Sequence, residues 1–512
     1  MIHLRFRSSC FHRLALGLAV VLSGCASVGP DFTAPQADAP ADWRSRPSSA
    51  PELSGTLSPD AAMLPQAWWT VFGDATLDAL QQRALKASPD LATATLRFAQ
   101  SRLQRRMAAS QAAPQVDLNA QRTRQRQSET SAETRLVNAI GGASAPQLVD
   151  LLSDPFDLYQ AGFDMSWELD LWGRVRRSIE AADAGVREAG EQLRDARLVL
   201  SSELARAYFE LRQLQRRQAL LARDVAIGQE AFALQQAQAA NGLASQDPSL
   251  AQAQDVARLQ AAQAELRAGQ AALVNQIGLL TGDAPGQLNS LLAPAAQDLG
   301  SEPAPRLPGL ALGEPQELLR RRPDVRAAEA RLHAATARIG VAVADLYPRI
   351  AFGASAGYQS IEAGTFGDWA SRTWQIGPVL SLPLFDRGRR KANVELRRKD
   401  QQLAAVAWRQ AVLKAWQEVD DALNDHAAER QRNRRLRERE TASREQWTFA
   451  RARAANGLDN ELSALRAELA WRQAQADLAE SDGHLLTSLV KVYKAVGGGA
   501  NAPSAGESSI AD

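Results

Sequence analysis

The sequence is a tandem duplication, and a duplicated chain must build its fold from two similar halves. Ser88-Pro89-Asp90-Leu91 recurs as Arg322-Pro323-Asp324-Val325, and Ala240-Asn241-Gly242-Leu243 recurs as Ala455-Asn456-Gly457-Leu458. Pro89 lies 25 residues before Pro114, and Pro323 lies 25 before Pro348. Gly242 and Gly282 are 40 apart, as are Gly457 and Gly497. Leu171 to Gly242 is 71, against 73 from Leu384 to Gly457. Only the stretch after each second proline differs, 57 residues (114–171) against 36 (348–384). Two copies that vary in one loop-like segment account for the spacing.

Each copy carries one very long helical pattern. From Val175 to Ala240 apolar residues step by four and three, through Ile179, Ala182, Val186 and Leu193 and onward with one phase slip. That is a coiled-coil-like stripe without an internal proline, and 66 residues at 1.5 Å make a rod of about 100 Å. The second rod runs from Arg389 to Ala455. Shorter helical segments cover 90–113 and 243–281 in the first copy, and 324–347 and 459–496 in the second. Their summed lengths nearly equal the rods, which predicts half-helices stacked end to end beside each long one. Asn-Gly at 241–242 and 456–457 suits the left-handed turn that reverses the chain at one tip.

At the other end of each rod the period changes to two. Tyr159, Phe163, Met165, Trp167 and Leu171 alternate with Gln160, Asp164, Ser166 and Glu168. Residues 350–358 and 374–384 repeat the alternation, and Val116, Leu118 and Ala120 begin a fainter fourth run. One apolar face, one small or polar face and tryptophans near the ends match transmembrane barrel strands. A soluble antiparallel sheet packed on helices gives the same alternation. Pro378 and Pro383 cost ladder donors and suggest a bend. Four strands cannot close a barrel. Three copies would supply twelve, and two copies eight with a filled interior. The fold class expected is therefore mixed α and β: a tandem repeat of long coiled-coil-like helices with four transmembrane strands per chain, closing as a trimeric 12-stranded barrel on a helical tunnel.

Composition narrows the function. Lys+Arg 59 against Asp+Glu 58 excludes a general polyanion binder. The 2 cysteines are Cys10 and Cys25, which leaves no disulfide framework or Cys-rich metal site. With 5 histidines, two of them at positions 3 and 12, little material remains for acid–base or zinc chemistry, so we expect no enzyme, no metal and no cofactor. No run reaches 18 consecutive apolar residues, so none reads as a membrane-spanning helix. Arg5, Arg7 and Arg13 precede an apolar run from Leu14 to Leu22, followed by Leu22-Ser23-Gly24-Cys25. This resembles a bacterial lipobox, which would make Cys25 the lipidated first residue after cleavage. Ala26 stands where an Asp would resemble an inner-membrane retention signal, so the lipid is expected in the outer membrane. Residues 30–66, rich in Pro, Ala and Ser, read as an extended tether. The expected divisions are a signal peptide at 1–24, a lipidated tether at 25–64, the first repeat at 65–282, a linker at 283–314, the second repeat at 315–497 and a tail at 498–512.

Six stretches then carry a family resemblance: Cys25 with Val28-Gly29-Pro30-Asp31-Phe32, Trp68-Trp69-Thr70-Val71-Phe72-Gly73-Asp74, Arg322-Pro323-Asp324-Val325, Leu346-Tyr347-Pro348, Leu171-Trp172-Gly173-Arg174 and Pro383-Leu384-Phe385-Asp386-Arg387-Gly388-Arg389. In this order the chain resembles the outer membrane factors, the TolC-type channel family, within it the NodT-like lipoprotein branch that serves multidrug efflux. The resemblance implies a homotrimer in the outer membrane, reaching into the periplasm, that passively conducts what a periplasmic adaptor and an inner-membrane pump deliver. It implies an iris at the helix tips, where relatives carry a Leu and, four residues on, an Asp. Leu462 matches the Leu, and Arg466 departs from the Asp. Asn241, Gly242, Asn456, Gly457 and Asp459 would form the tip turns that meet the adaptor, with helix capping as the plainer role of Asp459-Asn460.

Two rival readings remain. One is a lipid-anchored coiled-coil scaffold or adhesin without a pore. The other is a periplasmic hydrolase, since Gly353-Ala354-Ser355-Ala356-Gly357 matches G-x-S-x-G, although Ser355 falls inside an alternating strand pattern rather than at a strand–turn–helix. His333, His426 and His484 read as isolated on helices, and the arginines between 430 and 439 read as a solvated face interleaved with Glu.

Overall fold

The computed structural model describes residues 27–36, 67–140, 142–294 and 319–498. The lipobox with Cys25, most of the expected tether and linker, and the tail lie outside the described residues. The chain divides into two units that cut across the two repeats: 1–34, 101–186 and 331–404 form one, and 35–100, 187–330 and 405–512 the other.

The first unit holds a four-stranded antiparallel sheet in the order β1 (Gln115–Gln125), β2 (Phe156–Glu168), β3 (Arg349–Ser360) and β4 (Arg372–Ser381). Register puts Val116, Met165, Ala354 and Ile376 in one row and Leu118, Phe163, Ala356 and Trp374 in the next, so the apolar residues of all four strands share one face. The other face carries Asp117, Asp164, Ser355 and Gln375. Gly162 and Gly357 oppose each other on it, and a Cβ on Gly357 would lie 2.5 Å from Gly162 Cα. Ser355 sits mid-strand, away from any nucleophile elbow.

Several expectations need correction. The strand ending at Leu171 stops at Glu168, because Asp170 accepts from Val175 N at 3.0 Å and Arg176 N at 2.9 Å and so caps the helix that follows. The strand ending at Leu384 stops at Ser381, and Asp386 plays the same part, accepting from Arg390 N at 3.3 Å and from Gly388 N, just ahead of the helix, at 3.0 Å. Left-handed backbone at Gly173 (φ 79°), Arg387 (φ 54°) and Gly388 (φ 84°) turns each strand into its helix. Pro378 does not bend β4 out of the sheet; it pairs with Phe352 on the sheet's edge, where a missing donor interrupts no second ladder in the chain. Pro383 lies beyond the strand. The extra length between β1 and β2 holds two short helices, α3 (Ala132–Ile140) and α4 (Ala145–Ser153), which sequence periodicity left as loop.

The described residues of the second unit are helical, and several of its helices run on into the first. A 3-10 turn (Trp68–Phe72) leads into α1 (Ala75–Ala87), and α2 follows as Pro89–Ser110. Asp74 caps α1 through Thr76 N and Leu77 N and accepts from Tyr208 Oη at 2.6 Å. Trp68 is buried, stacked on Tyr493 at 5.3 Å and donating to Ser201 Oγ at 3.2 Å. Phe72 packs on Phe209 at 4.8 Å. The tryptophan-rich stretch is thus the plug of the main apolar core.

The rods are α5 (Arg174–Ala240) and α8 (Arg389–Ala455), 67 residues each and shared between the units. The returning half-helices are α6 (Asp247–Thr281) and α9 (Glu461–Ala495), and the second copy's outgoing half-helix is α7 (Pro323–Ala344). Each half-helix begins or ends two to four residues inside the expected span. Gly282 (φ 77°) ends α6 against the Ala87 carbonyl, just ahead of α2. Arg322, just ahead of α7, donates to the Ala495 carbonyl at 2.8 Å at the end of α9. The end-to-end junction of half-helices is therefore present in both copies.

His426 on α8 is buried, with Nδ1 2.9 Å from Ser488 Oγ on α9. Burial, with Arg430 adding, lowers its pKa to about 4. Between an unfolded value near 6.5 and that value, the unfolded chain binds a proton that the folded chain refuses. Stability should therefore fall as pH drops from 7 to 4, by up to about 3 kcal/mol from this group, and level off below. Urea midpoints measured across that range should decline less steeply in His426→Gln than in the wild type.

Candidate functional site

The tip turns form by one rule twice. Asn241 N donates to Ala237 O, Gly242 N to Ala239 O and Leu243 N to Gln238 O; Asn456, Gly457 and Leu458 donate to Ala452, Ala454 and Arg453 in the same pattern. The six-residue closure with a left-handed glycine (φ 70° and 69°) is a Schellman stop. Asn241 and Asn456 add a side-chain bond to the Ala237 and Ala452 carbonyls at 2.8 and 2.7 Å. Leu243 and Leu458 then stand exposed at 79% and 72%, so each turn offers an uncovered leucine.

The two tips differ in how the next helix starts. Asn460 caps α9, accepting from Ser463 N at 2.8 Å and Ser463 Oγ at 2.7 Å. The expected capping at Asp459-Asn460 thus falls to Asn460. Asp459 accepts from Asn460 N at 2.9 Å and lies 3.7 Å from Arg453. The Asn460 N–H and Ser463 hydroxyl, helped by Arg453, hold its carboxyl below the usual range. No side chain caps α6.

Leu462 is half-buried against Ile227, Ala231 and Leu465, where α9 packs on α5. Arg466, next on the same helix, is exposed, and among the described residues it makes no hydrogen bond or ion pair. The structure thus places the two on adjoining strips of α9, the leucine in the seam and the arginine at its margin.

Some polar groups that sequence alone left unpartnered are engaged. His333 Nε2 is 2.9 Å from Glu180 Oε1, and its ring stacks on Phe32 at 4.2 Å. Arg177 pairs with Asp31 at 2.5 Å and Glu180 at 2.8 Å, and Val28 N donates to Trp172 O at 3.0 Å. The start of the expected tether is therefore a docked strap, and three of the motif residues quoted above, Val28, Asp31 and Phe32, are what docks it. His484 lies 3.7 Å from Glu480. Arg437 and Arg439 reach Asp482 and Asp477 on α9 at 2.7 and 2.6 Å, so that part of the arginine run joins two helices and does not merely face solvent. Among the described residues no group of His, Cys, Asp and Glu is placed to hold a metal ion.

The family described as "Outer membrane efflux protein" matches residues 80–283 and 315–498. The chain belongs to that family. Outer membrane protein OprJ of Pseudomonas aeruginosa is 31% identical over 502 residues, covering 96% of this chain and 97% of its own. The antibiotic efflux pump outer membrane protein ArpC of Pseudomonas putida is 30% identical over 490 residues, 94% of each chain. The solved outer-membrane channel OprN superposes with a TM-score of 0.78 at 29% identity, over 92% of this chain and 99% of that one. Within the family's fold, the sheet, the rods and the tip turns are thus the parts in which an efflux channel's work must be sought.

The α9 cap gives a direct test of the tip. Asn460→Ala removes an acceptor for two donors and should cost about 1 kcal/mol locally. Hydrogen exchange of the amides of residues 461–464 should speed up several-fold, while the α6 start stays unchanged. Equal acceleration at both tips would contradict the asymmetry.

Proposed function

We propose that this chain is the outer-membrane channel of a tripartite efflux assembly, conducting passively what an inner-membrane pump and a periplasmic adaptor deliver. The observation that carries the reading is the sheet. Its apolar face is uncovered, with Ile376 and Leu118 60% and 65% exposed, and among the described residues neither of its edges, β1 and β4, has a further partner strand. A bilayer supplies what the apolar face needs, and only closure satisfies the edges there. The edge strands connect to helices that also expose apolar rows: Leu96, Leu103 and Met107 on α2, and Leu396, Leu403, Val406 and Leu413 on α8. One flank of the chain therefore suits the other flank of a second copy, the head-to-tail contact that closes rings. Three copies give the twelve strands of a conducting barrel, with the Asp117–Gln375 face toward the lumen. Cys25 carries the lipid, and the tip turns with Leu243 and Leu458 meet the adaptor.

Leu462 and Arg466 form the aperture in this reading. Three-fold symmetry makes a ring of three guanidiniums that stay charged at any working pH. At about 10 Å and an effective dielectric near 20, each pair repels by roughly 1.7 kcal/mol, less with salt. The closed tip should loosen easily and favour anions. Planar-bilayer recording tests both levels. Discrete single-channel steps are expected, and their absence would favour a scaffold without a pore. Under a salt gradient, Arg466→Asp should move the reversal potential toward cation preference; an unchanged value would remove Arg466 from the conducting path.

The faces of β2 give a second test. Met165 lies between Val116 and Ala354 on the apolar face, and Ser166 between Gln115 and Gly353 on the other. Met165→Arg should cost roughly 2–4 kcal/mol near the bilayer midplane and depress assembly. Ser166→Arg should assemble normally on native gels. The reverse order would invert the lumen and lipid faces.

A further inference from the structure

The tip half of the chain consists of two helical hairpins, α5–α6 and α8–α9, each closed by its Asn-Gly turn. Near the tips the hairpins meet where α5 packs on α9, through Ile227, Ala231 and Leu465. Any outward movement of one hairpin from the other must open that seam.

Asp224 sits on α5 one turn before Ile227, in the same seam. It is 9% exposed, and its Oδ1 is buried with no hydrogen-bond partner. Such an oxygen is costly when it carries charge and tolerable when it does not. Two charged groups of α9 act on it, Arg472 and Glu468, in opposite senses. Arg472 Nε is held by Glu468 Oε1 at 3.2 Å, so its charge is committed within α9. Arg223, beside Asp224 on α5, also turns to Glu468, at 3.8 Å. On α6, the residues nearest Gly228, one turn further along, are Val256, Gln252 and Leu259, none of them charged. The available counter-charge is spent on Glu468, and Asp224 is left in an apolar seam.

We propose that Asp224 is a proton-operated latch between the two hairpins: in mildly acidic solution it holds a proton while the seam is closed, and loses it when the hairpins part and water reaches it. Burial pushes its carboxyl up to about 6, with Glu468 adding and Arg472 opposing. Separation would return it toward an ordinary Asp value near 3.9. Between about pH 4 and 6, parting the hairpins then releases a proton. The closed seam is favoured fully below pH 4, loses ground as pH rises through 6, and is weakened by a constant factor above that. With the carboxyl near 6 in the closed seam and near 3.9 in the open one, the opening equilibrium is about fiftyfold more favourable per chain at pH 7 than at pH 4. The latch rests on the channel reading for its purpose, but its geometry does not require conduction.

The test uses the full-length protein in detergent, with spin labels at Leu243→Cys and Leu458→Cys, the exposed leucines of the two turns. Double electron–electron resonance distances between them are measured from pH 4 to 8. The wild-type background should shift toward longer, broader distances between about pH 4 and 6 and change little above that. Asp224→Asn keeps the shape and loses the titration, and should hold the short distances throughout. Asp224→Leu, which removes the polar group, should do the same and guards against a fault peculiar to the amide. If both variants follow the wild-type pH response, or if the wild type shows none, the latch is overturned. Bilayer recordings on the same preparations separate the two levels: a pH-dependent distance change in a protein that never conducts supports the latch and sinks the channel reading alone.

Discussion

Backbone hydrogen bonds set the terms for this protein. A strand in lipid must satisfy every N–H and C=O, and a four-stranded sheet with two open edges does not do so by itself. That one shortfall makes sense of features that look unrelated: apolar rows exposed on α2 and α8, a sheet with no apolar residue hidden, and a chain long enough to be a monomer in its own right. The duplication serves the same end in the proposed ring, where two similar hairpins would contribute equal arcs to a closed wall. The proposed ring is the cheapest way to make every edge an interior.

The second requirement is a change of period without a break. Each rod begins shortly after a strand ends, and the switch is made by a carboxylate that takes free N–H groups in the first turn of the helix. Asp170 and Asp386 hold equivalent places with different neighbours. The first turns through a glycine alone, whereas the second needs Arg387 and Gly388 in left-handed backbone. Around the first corner, Glu168 also grips Arg174 with paired bonds of 2.8 Å. These corners fix where each strand ends and its rod begins, since a slip of one residue would carry the carboxylate to the wrong side.

Periodicity and repetition made much of this legible in advance. The stripe of α5 and the alternation of β2 were plain because each is a local signal that extends over many residues. Gly242 and Gly457 could be placed because a left-handed position admits few residue types. What escaped was of another kind. The partnership of Phe32 with His333, or of Arg437 with Asp482, joins residues far apart in sequence and leaves no spacing to count. The strand ends were overrun by three residues at Leu169–Leu171, since a leucine reads the same in a strand and in the corner beyond it. Asp224 could not have been singled out among 58 acidic residues, because what distinguishes it is the absence of a partner.

The two short helices between β1 and β2 have a consequence for how such a chain can change. They lie in the connection furthest along the strands from the Asp170 corner, and pack chiefly on each other. The other copy spans the equivalent connection with a much shorter loop, and the same four-stranded register results. Length and composition there are free to drift without re-tuning any corner, seam or turn. That connection can thus be rewritten at little structural expense, while the corners, the seam and the tip turns stay under constraint.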